Sequence, residues 1–279
     1  MKVAIIGYGF VGKAIENGLS NKVQLYKVDP LLNTNIKDLK DFKPNIIFVC
    51  VPTPMLGDYD QDTSILEKVL CEIKDLGIKT SIVVKSTVLP NNLGNLSLGF
   101  KDLVYNPEFL REKNANKDFI ESKLIIFGGK EEYARSISEF YLKYTKCKTK
   151  KHIFTDLISA SLIKYTINSF LALKVIFFNE LFDVFEESDA EDSWENFISY
   201  ISRDARIGKS HMQVPGHDGR KGFGGACLPK DTAAISSYSN DLRKPLTVLD
   251  AAIEKNKKIR SKYKKRTKRE VDQNIKFND

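Results

Sequence analysis

The amino-terminal segment restricts the possible folds more than any other stretch of the chain. A short apolar run, Val3–Ile6, leads directly into the pattern G-x-G-x-x-G at Gly7–Gly12, then into a helix-like segment and a second apolar run that ends at Asp29. In this order the glycines permit a tight turn and the close approach of a pyrophosphate, which the helix N-terminus receives. The pattern therefore predicts a dinucleotide site. The Asp29 carboxylate would bind the adenosine ribose and repel a 2′-phosphate, which favours NAD over NADP.

Four later apolar runs continue the strand pattern: Asn45–Val51, Ile82–Val84, Leu103–Tyr105 and Leu124–Phe127. Runs that are apolar throughout are typical of buried parallel strands, whose carboxyl ends meet at one ligand-binding edge. Thr53 follows the first of these runs, where it either contacts cofactor phosphate or ribose or is an ordinary turn threonine. The polar stretches that follow the strands are Pro52-Thr53-Pro54, Lys85-Ser86-Thr87-Val88 and Asn106–Glu112. Because each of these polar stretches follows a strand, we predict that they line one polar crevice at that edge of the sheet.

A long helix is predicted from Asp156 to about Glu187, where no Gly or Pro occurs and apolar residues recur at helical spacing. Such a helix is roughly 45 Å long. Because it is apolar around much of its circumference, it must be covered on several sides. We therefore expect a homodimer packed across this helix. Lys164 and Asn168 share one face of it, either as site residues or as a snorkelling lysine and a surface asparagine.

The stretch Gly222–Asp231 presents a single cysteine, Cys227, on a glycine-rich turn directly before a helix-like segment. A thiol at a helix N-terminus lies at the positive end of the helix dipole, and Lys230 adds positive charge. Both favour the thiolate, which is the nucleophilic form. The alternative is a small hydrophobic residue in a loop. Asp231, four residues on, could orient a water molecule or the thiol, whereas loop histidines such as His211 and His217 are rarely general bases.

Composition excludes several functional classes. The formal net charge is +8, but residues 255–269 hold ten Lys or Arg and no acid, which leaves −2 for the rest of the chain. This favours a solvated or frayed basic helix end over a nucleic-acid-binding surface. We expect no membrane span, since no apolar run is long enough. The four cysteines show no pairing pattern, the apolar run before Gly7 is too short for a signal peptide, and the three histidines lack metal-ligand spacing. These features predict reduced thiols, a cytoplasmic location and no metal.

Taken together and in order, these motifs resemble the UDP-glucose/GDP-mannose dehydrogenase family. The resemblance rests on Gly7–Gly12, Val49–Pro54, Lys85–Val88, Asn106–Glu112, Lys164 with Asn168, Arg206-Ile207-Gly208 and Phe223–Asp231. It implies an α/β fold in which a Rossmann-type parallel sheet precedes an all-α central dimerisation domain with one long helix. The implied reaction is a four-electron oxidation of a nucleotide sugar, UDP-glucose to UDP-glucuronate first, with GDP-mannose or another nucleotide sugar as the alternative. It belongs to polysaccharide biosynthesis and uses NAD.

The resemblance also implies roles for individual residues. Cys227 would hold the reacting carbon as a thiohemiacetal and then as a thioester. Lys164 would stabilise the developing oxyanion. Arg206 would reach the substrate of the partner across the dimer interface. The implied catalytic residues are Cys227, Lys164, Asn168, Asp231, Glu108, Glu112 and Thr87. The implied cofactor-binding residues are Gly7, Gly9, Phe10, Val11, Gly12, Asp29, Thr53 and Thr87. The implied substrate-binding residues are Glu108, Phe109, Leu110, Lys164, Asn168, Arg206, Phe223 and Gly224.

The predicted organisation is an NAD-binding domain over residues 1–155, a helical dimerisation and catalytic domain over 156–254, and a basic tail over 255–279. Family members add a third α/β domain that supplies much of the nucleotide grip. Three outcomes therefore stay open: a separate chain completes the nucleotide site, the loop from His211 to Gly222 substitutes, or substrate binding is weak. Two other functions stay open: an NAD-binding or dimerisation module without turnover, and a two-electron dehydrogenase or decarboxylating reductase, neither of which needs Cys227.

Overall fold

The computed structural model describes residues 1–57 and 60–277 of the 279-residue chain, and these form two compact units. The first comprises Met1–Thr53 with Gln61–Lys164, and the second comprises the described parts of Pro54–Asp60 with Tyr165–Asp279. The division falls inside the long helix, whereas the sequence predicts a boundary after residue 155. The three-part domain division stays a prediction, and residues 278 and 279 of its last part lie outside the described residues.

Seven strands form the sheet of the first unit, in the order β2-β1-β3-β6-β7-β8-β9. The neighbours are parallel except for the pair β7 and β8. In chain order the strands are β1 (Lys2–Ile6), β2 (Gln24–Val28), β3 (Ile46–Val49), β4 (Met55–Leu56), β5 (Asp60–Gln61), β6 (Ser81–Val84), β7 (Val104–Tyr105), β8 (Ile126–Gly128) and β9 (Ile153–Thr155). Strands β4 and β5 form a separate two-stranded ribbon. The predicted mostly parallel sheet is confirmed.

The helices cover both units. They are α1 (Phe10–Gly18), α2 (Leu39–Phe42), α3 (Ser64–Asp75), α4 (Pro90–Gly99), α5 (Ala115–Glu121), α6 (Glu131–Tyr144), α7 (Leu157–Glu186), α8 (Trp194–Ile201), α9 (Leu228–Asp241), α10 (Thr247–Arg260) and α11 (Lys268–Asp272). Sequence periodicity does not reveal β9, α4, α5 or α11. Helix α4 contains two glycines and little apolar periodicity, and the others are too short to show a period.

The central strands are apolar throughout because both of their faces are covered. Ala4 and Ile6 of β1 lie in one buried cluster, whereas Val3 and Ile5 lie in the other. Strand β3 alternates in the same way, since side chains on a strand point to opposite faces in turn. Burial on both faces therefore explains why these runs lack the polar alternation of a surface sheet.

The strand order reverses at β1, which has β2 on one side and β3 on the other. The loops after β1 and β3 therefore leave the sheet in diverging directions at this point, which is where open parallel sheets bind ligands. The loops after β6 and β7 begin at the same edge, since these strands are also parallel to β3. Sequence segments from four strand ends thus reach one side of the first unit.

Helix α7 runs for 30 residues and continues from the first unit into the second. In the second unit it packs against α8 and against the segment that carries the glycine turn. The buried residues there form two clusters: Phe178, Trp194, Ile198, Met212 and Val214 in one, and Ala172, Ile176, Phe223 and Ala252 in the other. The prediction of one long, largely apolar helix is confirmed.

One expectation about α7 needs correction. Among the described residues, α7 meets the length and composition of a membrane-crossing helix, although the sequence suggested that no run was long enough. Its few charged residues do not lower its average hydropathy enough to fail that test. The core helix of a soluble protein meets the same criterion, so the finding is weak evidence for a membrane span.

The basic carboxy-terminal segment also differs from the expected solvated end. Lys255–Arg260 belongs to helix α10, and Arg260 is buried with 2% of its surface exposed. Helix α11 begins with a capping box between Thr267 and Glu270, and Ile275 is also buried. The described part of this segment is therefore folded around buried residues such as Arg260, Glu270 and Ile275, whereas most of its lysines are exposed.

Candidate active site

The loop after β1 is shaped by contacts between backbones. Gly7 has a φ of 88°, and a Cβ on it would lie 2.7 Å from the carbonyl oxygen of Cys50. A Cβ on Gly12 would lie 2.6 Å from the carbonyl oxygen of Gly7, whereas Gly9 has open space around it. Among the described residues, no side chain caps the start of α1 at Gly9. A helix N-terminus without a side-chain cap suits an anion, and these residues fit a dinucleotide pyrophosphate.

Asp29 lies at the end of β2, beside this loop. Its Oδ2 accepts a hydrogen bond from the Tyr8 amide at 2.7 Å, and its Oδ1 accepts one from the Leu31 amide at 2.9 Å. Each carboxylate oxygen retains further acceptor capacity, which two ribose hydroxyls can use. Phe10 and Val11 form the half-buried first turn of α1. The geometry therefore brings the predicted cofactor residues of β1, α1 and β2 together.

Thr53 is tied to a neighbouring loop. Its hydroxyl is buried and donates to the Thr87 carbonyl at 2.7 Å, and the Gln61 side-chain amide donates to the same carbonyl at 2.9 Å. Thr87 itself is half-buried. Sequence reasoning offered either a cofactor contact or a turn role for Thr53, and the structure gives its hydroxyl proton an internal acceptor. Cofactor contacts of Thr53 and Thr87 stay predictions.

A buried ion pair follows β7. Lys164 donates to the backbone carbonyl of Glu108 at 2.6 Å and lies 3.4 Å from its carboxylate, and both residues are less than 9% exposed. The Leu110 amide donates to the other carboxylate oxygen at 2.6 Å, and the Lys164 ammonium lies 5.3 Å from the centre of the Phe109 ring. Four predicted site residues thus meet here. Glu112 instead lies on an exposed 3-10 turn.

A second buried network supports this loop, and sequence patterns did not reveal it. The Lys85 ammonium and the Tyr141 hydroxyl both donate to Asn106 Oδ1, at 2.8 and 2.7 Å, and the Asn106 amide donates to the Ile126 carbonyl. Burial lowers the pKa of Lys85 to about 8 and raises that of Cys50 to about 12. The only sequence signal was the placement of Lys85 and Asn106 at strand ends. The hydrogen bond between Lys85 and Asn106 fixes Asn106, which lies two positions before Glu108.

In the second unit, Cys227 is the N-cap residue of α9 and is partly exposed. Asn168 donates to Asp231 at 2.5 Å, and the Lys230 ammonium donates to the other carboxylate oxygen at the same distance. The sequence suggested that Lys230 contributes positive charge toward the thiol. The structure instead pairs that charge with Asp231. The feature that favours the Cys227 thiolate is then the positive end of the α9 dipole, where Cys227 is the N-cap residue.

The glycine turn before Cys227 is held by two buried asparagines. Asn179 on α7 accepts a hydrogen bond from the Gly222 amide at 2.9 Å. Asn256 on α10 accepts from the Phe223 amide at 2.7 Å and donates to the Phe223 carbonyl at 2.9 Å. Gly222 has a φ of 76°, which a residue with a side chain rarely adopts. The Phe223 side chain is buried in the cluster with Ala172, Ile176 and Ala252, so it anchors the turn to the second unit.

The remaining predicted residues lie at the surface of the second unit. Arg206 is exposed and forms two parallel hydrogen bonds with Asp204, from Nε to Oδ1 at 3.0 Å and from Nη2 to Oδ2 at 2.6 Å. His217 is also exposed. None of the four cysteines is in a disulfide. Within residues 1–57 and 60–277, no group of three His, Cys, Asp or Glu side chains could hold a metal ion.

Both units of the chain resemble domains of known proteins. The family description for the UDP-glucose/GDP-mannose dehydrogenase NAD-binding domain matches residues 13–145, and the description for the central domain of that family matches residues 158–258. The chain is 30% identical to a UDP-glucose 6-dehydrogenase of Campylobacter jejuni, over 94% of this chain and 73% of that protein. It is 34% identical to the Rickettsia bellii enzyme of that name, over 76% of this chain and 49% of that protein.

A solved structure agrees with the fold. The UDP-glucose dehydrogenase of Pyrobaculum islandicum superposes with a TM-score of 0.73 at 24% identity, over 92% of this chain and 68% of that one. The chain therefore spans between about half and three quarters of the length of these relatives. Its amino-terminal part is an NAD-binding domain, in agreement with the glycine loop and Asp29. By its two matched domains and by its identity over most of the length of the Campylobacter enzyme, the chain belongs to the UDP-glucose/GDP-mannose dehydrogenase family.

Proposed function

We propose that this chain catalyses the NAD-dependent four-electron oxidation of a nucleotide sugar at C6, with UDP-glucose as the first substrate to test. The observation that carries the proposal is the place of Cys227, a partly exposed thiol at the N-terminus of α9 and one helical turn before the Asn168–Asp231 pair. A two-electron dehydrogenase has no use for such a thiol. An aldehyde intermediate, in contrast, must be retained between two oxidations.

The chemistry divides into steps that balance. The C6 alcohol first loses a hydride and its hydroxyl proton, which gives an aldehyde. The Cys227 thiolate then forms a C–S bond to that carbon, and the resulting alkoxide takes up a proton to give a thiohemiacetal. Loss of a second hydride and proton gives a thioester. Water then adds to the carbonyl and the C–S bond breaks, which releases a carboxylate, the thiolate and two protons. NAD, when bound, accepts the hydride in each oxidation.

The ammonium of Lys164 provides the electrostatic stabilisation in this scheme. It is buried and held by both the carbonyl and the carboxylate of Glu108, so its position is fixed before substrate binds. A positioned ammonium stabilises the oxyanion that develops when the thiolate adds to the aldehyde. Glu108 serves in thioester hydrolysis, and Asn168 with Asp231 orders the sugar end or the water. Thr87 and Glu112 complete the proposed set of polar residues.

The substrate and partner assignments are also proposals. The loop from His211 to Gly222 carries basic residues that suit a diphosphate, and a separate chain is a second way to complete the nucleotide site. GDP-mannose is the alternative substrate. Arg206 is proposed to bind the substrate of a second subunit, which agrees with its exposed position. The four cysteines form no disulfide, which agrees with a cytoplasmic location.

A homodimer through α7 is supported by a stripe of exposed apolar side chains. Phe170, Phe177 and Val184 are spaced by seven residues and are 63%, 59% and 65% exposed, so they lie along one face of the helix. Phe177→Asp should shift the mass in solution from dimer to monomer. Val248→Asp, at an equally exposed apolar position of α10, should not. A monomeric unsubstituted chain would contradict the dimer.

The decisive experiment counts NADH per sugar consumed when the purified chain receives UDP-glucose and NAD. We expect about two NADH per sugar, and loss of turnover in Cys227→Ser but not in Cys71→Ser, whose thiol lies on the surface of α3. One NADH per sugar would indicate a two-electron enzyme. No NADH with either UDP-glucose or GDP-mannose would indicate a binding module or a missing partner chain.

A further inference from the structure

Two opposite charges are fully buried behind the glycine turn, and the proposed mechanism does not use them. Arg260 at the end of α10 is 2% exposed, and Glu270 in α11 is 0% exposed. The guanidinium donates to Glu270 at 2.6 Å and to Asp218 at 2.8 Å. Desolvation of such a pair often costs as much as the attraction returns, so fold stability alone does not explain it.

The pair contacts the turn that leads to Cys227. The Gly225 amide donates to Glu270 Oε1 at 3.4 Å, and the same oxygen lies 2.6 Å from the place of a Cβ on Gly224. The Arg260 guanidinium is closer still to that position. The ion pair therefore fills the volume that a side chain at residue 224 would need. The ion pair therefore supports the turn at Gly224 and Gly225, whereas Asn256 supports it at Phe223.

Glu270 is itself fixed in place. The Thr267 amide donates to its second carboxylate oxygen at 2.7 Å, and the Thr267 hydroxyl accepts a hydrogen bond from the Glu270 amide at 3.3 Å. Burial by itself would raise the pKa of Glu270, but the hydrogen bonds from the Thr267 amide and from Arg260 outweigh it, so the pKa is lowered. The carboxylate thus remains ionised at neutral pH. A charged group held on both sides is a rigid support.

We infer that Arg260 and Glu270 are positioning residues that hold the glycine turn, and through it the Cys227 sulfur, at the N-terminus of α9. Only two residues separate Gly224 from Cys227, so a displaced turn moves the thiol away from the helix end that favours its thiolate. The catalytic use of the thiol rests on the proposed function. The position of the thiol and its reactivity in the free protein can be measured without that function.

The test removes both charges at once. Arg260→Met/Glu270→Met keeps the net charge and most of the side-chain volume, and such replacements often leave stability unchanged. Lys255→Met/Glu180→Met is the matched control, because it removes an exposed pair between α10 and α7 with the same charge balance. The readout is the rate of alkylation of Cys227 by iodoacetamide, followed by peptide mass spectrometry over a range of pH. Cys71 in the same molecule is the internal reference.

We expect the double variant to alkylate Cys227 at least about fivefold more slowly at pH 7 relative to Cys71, with a higher pH midpoint, while the control variant matches the unsubstituted chain. Unchanged Cys227 reactivity in a folded double variant would overturn the inference. If that variant does not fold, Glu270→Gln, which keeps shape but not charge, answers the same question by the same criterion. Altered alkylation in the double variant, with no NADH produced by the unsubstituted chain from UDP-glucose or GDP-mannose, would keep this inference and reject turnover by this chain alone.

Discussion

The chain contains two glycine-rich segments next to its proposed chemistry, and they are built in different ways. The loop Gly7–Gly12 is packed against main chain, since a Cβ on Gly7 would meet the Cys50 carbonyl. The turn Gly222–Gly225 is packed against side chains, namely Asn256, Arg260 and Glu270. The first segment is therefore defined by the sheet itself. The second is defined by side chains of α10 and α11, outside the sheet.

This difference predicts how each segment responds to substitution. A side chain can rotate away or be replaced, whereas the Cys50 carbonyl directly follows β3, in a residue whose amide is bonded to the Ile6 carbonyl of β1, and has little freedom to move. Substitutions at Gly7 and Gly12 should therefore be costly and impossible to rescue. Those in the second segment should cost less and should depend on the identity of the supporting side chains.

The largest effect is expected for Gly7→Ala. The new Cβ would overlap the Cys50 carbonyl, at a φ of 88° that alanine rarely adopts. We expect a loss of more than about 4 kcal/mol in the free energy of unfolding, and loss of NAD binding. Urea unfolding followed by circular dichroism, with NAD titration by calorimetry, measures both. Gly9→Ala is the control, since its Cβ meets no atom within 4 Å. Equal stability of the two variants would break the comparison.

The next effect concerns the buried support of the first unit. Lys85 has a pKa of about 8 in the folded chain against an ordinary value of 10.5, with burial as the main cause. Between these values the unfolded chain holds more protons, so this residue's penalty is present below pH 8 and is relieved as pH rises toward 10.5. The free energy of unfolding of the unsubstituted chain should rise over this range, relative to Lys85→Met, by about 3 kcal/mol at most.

The comparison with Lys85→Met is needed because other groups act in the opposite direction. The pKa of Cys50 is raised to about 12 and that of Tyr141 is also raised, both mainly by burial, so they lower stability as pH rises. These groups are present in both proteins, and burial, the main cause of both shifts, is kept. The Tyr141 contribution therefore cancels in the difference, and the Cys50 contribution, whose pKa Lys85 lowers, cancels in its main part. A difference that stays flat from pH 7 to 10.5 would show that the Lys85 ammonium is not desolvated in the folded chain.

A smaller effect is expected for Gly224→Ala, at about 2 kcal/mol, because its neighbours are side chains. Combined with Arg260→Met/Glu270→Met, the alanine should cost much less than it does alone. A double-mutant cycle on urea unfolding measures this coupling. Strictly additive costs would mean that the backbone, not the ion pair, limits the space at residue 224.

The smallest effect is expected for Thr53→Val, at about 1 kcal/mol. The substitution removes the hydrogen bond to the Thr87 carbonyl, but the Gln61 amide still donates to that carbonyl. Thermal unfolding measures the loss. An unchanged affinity for NAD would assign Thr53 to loop support, whereas an affinity loss much larger than the stability loss would support the predicted cofactor contact.

The sequence predicts the first segment better than the second for a physical reason. Strand β1, the glycine loop and Asp29 follow one another along the chain, so local patterns indicate the whole arrangement. The residues that contact the glycine turn, in contrast, lie far from it along the chain. Glu270 lies 45 residues after Gly225, in a helix too short to show a period, inside a segment whose charge suggested solvent exposure. Likewise, nothing local links Lys85 to Asn106 or Asn106 to Tyr141.

The account depends most on a covalent bond between Cys227 and the oxidised carbon. The direct measurement is to quench the chain with acid during turnover of UDP-glucose and NAD, and to weigh the peptide that contains Cys227. We predict a fraction of that peptide heavier by one substrate less four hydrogens, the mass of the thioester, and its absence from Cys71 peptides. NADH production with the Cys227 peptide unmodified throughout, and undiminished in Cys227→Ser, would contradict the mechanism.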